Sequence, residues 1–225
     1  SVMGLVREIA VLTGKEFKKP EISVSESGKN ATDLIKIEIA DTSVCKRFAA
    51  RVFENIKIEA SPNWMKQRLE AAGIRSINNI VDITNFVMLE LGQPLHAYDY
   101  DTIKGKTLIA TKANPNEKIT TLDDVERNLT EEMIVIADIS GPVGVAGIMG
   151  GLATEVTANT KTIVLEAATF QGVSVRRTSR AFGLRSEASG RFERGVDIVN
   201  IDAKLIDLQK SNVLEFAFKI KEQIL

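Results

Sequence analysis

The stretch that most restricts the fold is a series of short β-patterned segments in the middle of the chain. Each is rich in valine, isoleucine, leucine or threonine, and turn-forming pairs such as Asn114-Pro115 and Gly141-Pro142 separate them. The segments cover residues 107–113, 119–121, 125–129, 134–137 and 143–146. Short strands joined by tight turns are typical of antiparallel hairpins. We therefore expect a mixed α+β fold, with a β-rich compact sheet or partial barrel flanked by helices.

Helical patterns precede this region. Residues 2–12 place apolar side chains on one helical face and meet Gly14. Ser61-Pro62 is typical of an N-cap followed by the first helical residue, and a second helix is expected from about residue 77 to residue 91. That helix is unusually polar, with Asn78, Asn79, Asp82, Thr84 and Asn85. We expect some of these side chains to find partners inside the protein.

The segment after residue 162 predicts a strand and then two short helical pieces. Residues 163–165 are apolar and end on Glu166, so a buried strand would hold this carboxylate at its end, facing a cavity. Helical character runs from residue 174 to residue 182, and Gly183 predicts a left-handed cap. Ser186 begins a further short segment that ends at Gly195.

The same segment holds an array of arginines without any lysine. Its members are Arg176, Arg177, Arg180, Arg185, Arg191 and Arg194. Guanidinium groups bind carboxylates and phosphates in a bidentate manner, so two interpretations stay open. The array either forms an internal salt-bridge network through Glu187, Glu193 and Asp197, or it contacts phosphate or RNA. Because the net charge is −1, nucleic-acid binding would have to come from such a local patch.

His96 and Cys45 are the single histidine and the single cysteine of the chain. A lone histidine is either a structural hydrogen-bond donor or a catalytic base. One cysteine cannot form an internal disulfide, and one residue of each type does not make a structural zinc site, so we expect no metal.

The run GVAGIMGG contains four glycines, at positions 144, 147, 150 and 151. It follows hairpins and lacks both a helix after it and the lysine of a phosphate loop, which weighs against a nucleotide-binding enzyme. We expect these glycines to let the backbone line a pocket closely.

Five motifs follow one another along the chain: INNIVDITNFVMLELGQPLHAYD, ITTLDDVERNL, GVAGIMGG, IVLEAATF and GLRSEASGRFERGVD. Together they closely resemble the B3/B4 domain of the β chain of bacterial phenylalanyl-tRNA synthetase, over roughly residues 40–197. In that family the β chain is several times longer, and the aminoacylation site lies on the α chain. The resemblance implies an excised editing module of phenylalanine–tRNA ligase. It also implies the tail of a preceding domain plus a linker at residues 1–33, the B3/B4 domain at 34–210, and an uncertain extension at 211–225.

The resemblance implies post-transfer editing, the hydrolysis of tyrosine wrongly esterified to phenylalanine tRNA. An apolar phenylalanine pocket rejects an added hydroxyl by only about a hundredfold, so a second site that binds the hydroxyl is needed. His96 and Glu166 would be the catalytic residues, with direct attack by water on the ester and no covalent intermediate. His96 would either take a proton from this water or only position it. Glu166 would accept the tyrosine phenol. Substrate contacts would also come from Arg75, Asn85, Gly147, Ser186 and Ala188.

Within this set the expected roles differ. Gly147 and Ala188 would leave room for the ring, and Ser186 would line the pocket. Arg75 and Asn85, together with His96, would surround the ester, the substrate amine or the terminal adenosine. The main pocket is expected to contain His96, Gly147, Glu166 and Ala188. One departure from the family pattern is Asp124, where relatives commonly have glycine; aspartate can adopt the left-handed conformation, so the hairpin should survive.

The resemblance also implies partners. These are the 3′ end of phenylalanine tRNA carrying tyrosine, contacted by Arg176, Arg177 and Arg180, and the synthetase α subunit in an α2β2 assembly. We expect no cofactor in this fragment, with ATP and Mg²⁺ required only by the full heterotetramer. The lack of a signal peptide or long apolar span predicts a cytoplasmic protein without a membrane partner. The alternative function is a non-catalytic tRNA-binding or scaffolding module of the same synthetase.

Overall fold

The computed structural model describes residues 1–18 and 29–197. Its helices are α1 (Val2–Thr13), α2 (Ala31–Leu34), α3 (Asn63–Ala71), α4 (Asn79–Leu91), α5 (Gly172–Phe182) and α6 (Glu187–Phe192). Its strands are β1 (Lys36–Ile39), β2 (Cys45–Phe53), β3 (Leu95–Asp99), β4 (Thr107–Lys112), β5 (Lys118–Thr120), β6 (Glu126–Asn128), β7 (Ile134–Asp138), β8 (Gly141–Val145), β9 (Met149–Gly150) and β10 (Ile163–Phe170). The predicted α+β class is confirmed, and the end of the expected B3/B4 domain, with the extension at 211–225, lies outside the described residues.

The strands of this described part form open sheets and no closed barrel. One sheet has the order β1-β4-β7-β8-β9, in which only the β1–β4 pair is parallel. A second sheet has the order β2-β10-β3 and is antiparallel throughout. The β5–β6 hairpin forms a small third sheet. Its turn contains Asp124 at φ 59°, which confirms that aspartate there adopts the left-handed conformation.

Strand β10 separates two hydrophobic cores, and all eight of its residues are buried. Alternate side chains, including Val164 and Phe170, pack with the five-stranded sheet. The side chains between them, such as Leu165, pack with α3 and α4. Burial on both faces explains why this strand is almost continuously apolar.

Glu166 is the fourth residue of the eight-residue strand β10. The expectation that it ends a strand is therefore wrong. The small residues that follow, Ala167 and Ala168, suit a strand that is enclosed on both faces and paired on both edges, so the strand continues to Phe170. This central position holds the Glu166 carboxylate inside the protein, on the face that carries Val164 and Phe170.

Helix α4 is fixed by the polar side chains at its start. Asn78 accepts hydrogen bonds from the backbone N–H groups of Ile80 and Val81, at 3.1 and 3.0 Å. Asp82, which is fully buried, accepts from the hydroxyls of Ser61 and Ser76 at 2.5 Å each and from the backbone of Ile77 at 2.8 Å. The expectation of internal partners is confirmed. Ser61 is not the N-cap of α3, however, because Pro62 holds that position and the Ser61 hydroxyl is bound to Asp82.

Helices α5 and α6 pack into the core of the five-stranded sheet through Val175 and Phe192. Gly183 ends α5 in the left-handed conformation, at φ 64°, as the sequence predicts. Ser186 caps α6, and its side chain accepts from the backbone N–H of Ser189 at 3.1 Å. Phe192 then packs against Phe170 of β10, with ring centroids 5.1 Å apart. This contact brings α6 against the strand that carries Glu166.

None of the described helices is long and apolar enough to cross a membrane.

Candidate active site

A cavity of about 80 Å³ lies between the two larger sheets and α6. A single water needs about 10 to 15 Å³ on this scale, so the space accepts a group of several non-hydrogen atoms. Strand β3 contributes His96 and Tyr98, and β10 contributes Glu166 and Phe170. The wall opposite consists of residues 144–150, and α6 adds Ala188 and Phe192. The cavity is therefore mainly apolar, with a few polar groups converging on it.

The family resemblance assigns four residues to one pocket, and all four line this cavity: His96, Gly147, Glu166 and Ala188. They come from β3, the turn after β8, β10 and α6. His96 and Glu166 lie directly across from each other in the antiparallel pairing of β3 with β10. Their positions agree with a shared site, while their roles in binding and catalysis stay predictions.

Tyr98 is a polar residue of the cavity that sequence reasoning missed. Its hydroxyl donates a hydrogen bond to Oε2 of Glu166, and both side chains are buried, with 1% and 6% of their surface exposed. The segment LHAYD contains the pattern that could have revealed it. In a strand, residues two apart share a face, so His96 and Tyr98 point to the same side of β3.

The surroundings of the Glu166 carboxyl group favour its protonated, neutral form, compared with a carboxyl group in water. Burial raises the pKa of the carboxyl to about 7, although the hydrogen bond from Tyr98 lowers it. At neutral pH the group is thus divided between carboxylic acid and carboxylate. Burial, the charge of Glu166 and the same hydrogen bond raise the pKa of Tyr98 well above its usual value, so Tyr98 stays a neutral donor.

His96 is neutral at physiological pH, because burial lowers the pKa of its imidazole to about 4. Its ring stands edge-on to that of Tyr98, with centroids 4.5 Å apart and an interplanar angle of 86°. Within residues 1–18 and 29–197, no protein group forms a hydrogen bond with its side chain. A neutral imidazole without a protein partner can hold a water molecule or accept a proton from it.

Two positions of the GVAGIMGG run need glycine, because side chains of the cavity lie too close to their backbone to leave room for a Cβ. A Cβ on Gly150 would lie 2.4 Å from Cε1 of His96. Gly147 has φ 72°, and its Cβ would lie 2.9 Å from Cδ2 of Phe192. The expectation that these glycines let the backbone line a pocket is confirmed. The run itself forms β8, a turn and β9, and a short 3₁₀ turn (Leu152–Thr154) follows it.

Three predicted substrate contacts are absent from the cavity wall. Arg75 is exposed in the loop before α4, and Asn85 is half-buried on α4, a helix that packs against the opposite face of the three-stranded sheet. Their proposed contacts with the substrate amine or terminal adenosine stay predictions. Ser186 does not line the cavity either, because its hydroxyl caps α6 and lies 3.5 Å from the carbonyl of Ile148. The proposed contact of Ser186 with the substrate stays a prediction.

The arginine array divides into paired and unpaired members. Arg191 binds Glu187 at 2.6 Å, Arg185 lies 3.6 Å from Glu193, and Arg177 lies 3.6 Å from Glu132. Two more, Arg176 and Arg180, are exposed one turn apart on α5, and no carboxylate of the described residues pairs with them. The salt-bridge interpretation thus fits part of the array, and α5 keeps an unpaired basic face.

The described residues contain no group of three or more histidine, cysteine, aspartate or glutamate side chains that could hold a metal ion.

The sequence of the chain matches a known family of domains. Residues 44–211 match the family described as the B3/4 domain. Phenylalanine–tRNA ligase β subunits from Moorella thermoacetica and Carboxydothermus hydrogenoformans are 54% and 51% identical to this chain, over 88% and 92% of its length. The chain spans about a quarter of these relatives, 25% and 26%. A crystal structure of an N-terminal fragment of the phenylalanyl-tRNA synthetase β subunit from Pyrococcus horikoshii matches with a TM-score of 0.46 and 15% identity, over 83% of this chain and 56% of that chain.

Proposed function

The chain belongs to the B3/4 domain family and is similar along most of its length to phenylalanine–tRNA ligase β subunits, and we propose that its cavity is an editing site that hydrolyses tyrosine wrongly esterified to phenylalanine tRNA. The observation that carries this proposal is the pairing of Glu166 with His96 across β3 and β10 in a mainly apolar cavity. One group can select the substrate and the other can act on the ester.

Selection rests on the single hydroxyl that distinguishes tyrosine from phenylalanine. Tyr98 occupies Oε2 of Glu166, so Oε1 can accept the phenol of the substrate. When phenylalanine enters instead, this oxygen loses a partner inside a mainly apolar cavity. A site built to bind a hydroxyl discriminates against the analogue without it far better than an apolar pocket can, by up to about 10⁴- to 10⁵-fold.

The chemistry is the attack of water on the ester carbonyl. The neutral imidazole of His96 holds this water and takes a proton as the new C–O bond forms. The bond between the acyl carbon and the ribose oxygen then breaks, and the imidazolium of His96 returns its proton to the ribose oxygen as tyrosine and tRNA separate. A thiol nucleophile does not contribute, because Cys45 is fully buried and burial raises the pKa of its thiol to about 12.

The test is deacylation of tyrosyl- and phenylalanyl-charged phenylalanine tRNA by the full-length β subunit assembled with its α subunit. Glu166→Ala should reduce the preference for tyrosine by about 1.5 to 3 kcal/mol, or about 10- to 150-fold, the range for a hydrogen bond to a charged group. Glu187→Ala is the matched control, since Glu187 is an exposed carboxylate on α6 that pairs with Arg191. A wild-type preference in Glu166→Ala would refute the proposed site.

The unpaired basic face of α5 supports a second role, contact with tRNA. Arg176 and Arg180 are exposed, and among the described residues Arg177 pairs only with the exposed Glu132. This role accompanies editing, and it becomes the main function if Glu166→Ala and His96→Ala both leave deacylation unchanged. In the assembled enzyme we place aminoacylation, with its ATP and Mg²⁺, on the α subunit of an α2β2 complex.

A further inference from the structure

We propose that Tyr98 is a specificity-determining positioning residue, whose hydroxyl occupies one oxygen of Glu166 so that the carboxyl group presents its other oxygen to a phenol-bearing substrate. The inference rests on the proposed function and deepens it. It concerns a residue of this chain that acts through Glu166 and does not itself touch the ester.

The position of the Tyr98 hydroxyl is fixed from two sides. Strand β3 pairs with β10, and the hydroxyl reaches Oε2 of Glu166 from within this sheet. On the side of the five-stranded sheet, Gly144 lies opposite the hydroxyl, and a Cβ there would make an ordinary contact of 3.7 Å with the hydroxyl oxygen. Tyr98 is only 1% exposed. The ring therefore has little freedom to turn away from Glu166.

The second oxygen of Glu166 is the one available to a ligand. Among the described residues, Tyr98 is the only hydrogen-bonding partner of the Glu166 side chain. Glu166 lines the cavity, and neither of its carboxyl oxygens is both fully buried and without a hydrogen bond. Oε1 is thus open to the cavity while Oε2 is bound. A phenol that enters the cavity can donate a hydrogen bond to Oε1, so that each oxygen of Glu166 then accepts one hydrogen bond.

Tyr98 also controls the charge of Glu166. Its hydrogen bond lowers the pKa of the carboxyl, whereas burial raises it to about 7. In the part of the chain that the structure describes, the other titratable groups around Glu166 are the half-buried His96 of β3 and the buried Cys45 of β2, whose thiol pKa is raised by the carboxylate charge. From β8, β9 and α6, the cavity wall receives only glycine and apolar side chains. No cation among these groups replaces the effect of the Tyr98 hydroxyl.

The diagnostic variant is Tyr98→Phe, which keeps the ring and removes only the hydroxyl. A carboxylate accepts a phenol hydrogen bond more strongly than a carboxylic acid does, so the tyrosine preference of the wild type should rise with pH, with a midpoint near 7. Without the Tyr98 hydrogen bond, we expect this midpoint to move upward by about one pH unit. At pH 7 the preference should fall about threefold to tenfold, through a higher KM for the tyrosyl ester, and it should recover at higher pH.

The experiment measures kcat and KM for both esters between pH 6 and 8.5 in the assembled full-length enzyme, with spontaneous hydrolysis subtracted. The matched control is Tyr100→Phe, because the Tyr100 hydroxyl donates to the carbonyl of Leu34 at 2.9 Å and lies outside the cavity wall. We expect its midpoint to equal that of the wild type. In a Glu166→Gln background, Tyr98→Phe should produce no further change in the pH profile, since no titrating carboxyl remains at this position.

An unchanged midpoint and unchanged tyrosine preference in Tyr98→Phe would overturn the proposal. An equal loss of rate with both esters at every pH would also overturn it, because that result indicates a purely structural role. Infrared difference spectra of the protonated carboxyl band, wild type minus Glu166→Gln, measure the Glu166 titration without any activity. If this titration moves upward in Tyr98→Phe while Glu166→Ala keeps the wild-type preference, the control of Glu166 by Tyr98 stands and the proposed editing function fails.

Discussion

Gly150 faces the imidazole of His96 so closely that a Cβ atom on residue 150 would lie 2.4 Å from Cε1 and 2.5 Å from Nε2 of the ring. Real Cβ atoms do not approach other atoms this closely, so the ring occupies the space that a side chain at position 150 would need. The backbone of β9 thus limits where the His96 ring can lie. A residue without a side chain helps to determine the geometry of the proposed general base.

The first prediction concerns Gly150→Ala. Gly150 does not have a positive φ, so the backbone accepts alanine, and the conflict is mainly with a ring that can rotate away. We expect the fold to survive, His96 to be displaced, and kcat/KM for tyrosyl-tRNA hydrolysis to fall at least about tenfold, within the range attributed to positioned acid–base groups. Deacylation and the Tm should be measured together.

The matched control for this change is Gly190→Ala. Nothing lies within 4 Å of a Cβ at Gly190, which is a helical position in α6, so wild-type hydrolysis and a slightly higher Tm are expected. Gly151→Ala should instead unfold the region, because its Cβ would lie 2.6 Å from the backbone carbonyl of Val143. Wild-type hydrolysis by Gly150→Ala would contradict the role given to His96.

A second prediction concerns the space for the substrate ring. Ala188 lies on α6 and lines the cavity, so Ala188→Trp fills the cavity with an indole. Hydrolysis of tyrosyl-tRNA should be lost, while phenylalanine activation and transfer on the α subunit should keep their rates. Deacylation and aminoacylation measured side by side in the assembled enzyme decide this. The control is Ala181→Trp, at an exposed position on α5. Normal editing by Ala188→Trp would show that the substrate ring does not bind in this cavity.

Much of the fold could be predicted from local patterns. The helices capped by Gly14 and Gly183 and the hairpin strands of residues 107–146 lie close to where periodicity and turn residues place them. These features depend on near neighbours in sequence. Strand β10 was harder, because an apolar run does not indicate where a strand ends when both faces are buried. Only its pairing with β2 and β3 reveals that Glu166 lies mid-strand.

The site shows the same division between local and tertiary information. The family resemblance assigns one pocket to His96, Gly147, Glu166 and Ala188, because it reflects the three-dimensional arrangement of the family and residue spacing does not. Tyr98 was missed because its role arises from a contact with a residue 68 positions away. For Ser186, local reasoning predicted the N-cap of α6 correctly, and that structural use of the hydroxyl explains its absence from the cavity wall.

A third prediction separates tRNA contact from internal pairing. Arg176→Ala combined with Arg180→Ala should weaken tRNA binding and reduce the slope of log Kd against log salt concentration by about two, roughly one per lost phosphate contact. The Tm should change little, since neither side chain pairs with a described carboxylate. The measurement is tRNA affinity at several salt concentrations.

The control for this pair is Arg191→Ala, which removes the ion pair with Glu187. It should leave the salt slope of tRNA binding unchanged and lower stability by at most about 0.5 kcal/mol, as is usual for pairs one helical turn apart. Unchanged tRNA affinity in the Arg176 and Arg180 double variant, together with a large fall in Tm, would assign these two arginines to the fold.

The fourth prediction follows from opposite pKa changes at Glu166 and His96. Folding raises the pKa of Glu166 from its usual value of 4.5 to about 7, so between these pH values the folded chain binds more protons than the unfolded chain. Stability from this group falls as pH rises through that range. Folding lowers the pKa of His96 from 6.5 to about 4, so stability from this group rises with pH between 4 and 6.5. In the overlapping range the two effects oppose each other.

Single substitutions should therefore reveal slopes that the wild type conceals. Glu166→Gln removes the contribution of Glu166, which falls as pH rises. The free energy of unfolding of this variant relative to the wild type should therefore increase with pH between about 4.5 and 7, by up to about 1.4 kcal/mol per pH unit. His96→Gln removes the contribution of His96, which rises with pH. The free energy of unfolding of this variant relative to the wild type should therefore decrease with pH between about 4 and 6.5, by a similar amount. Urea unfolding at pH 5, 6 and 7 measures both. Because the expected slopes have opposite signs, a general loss of packing cannot imitate them, and parallel profiles for the two variants would show that the cavity does not perturb these groups as described.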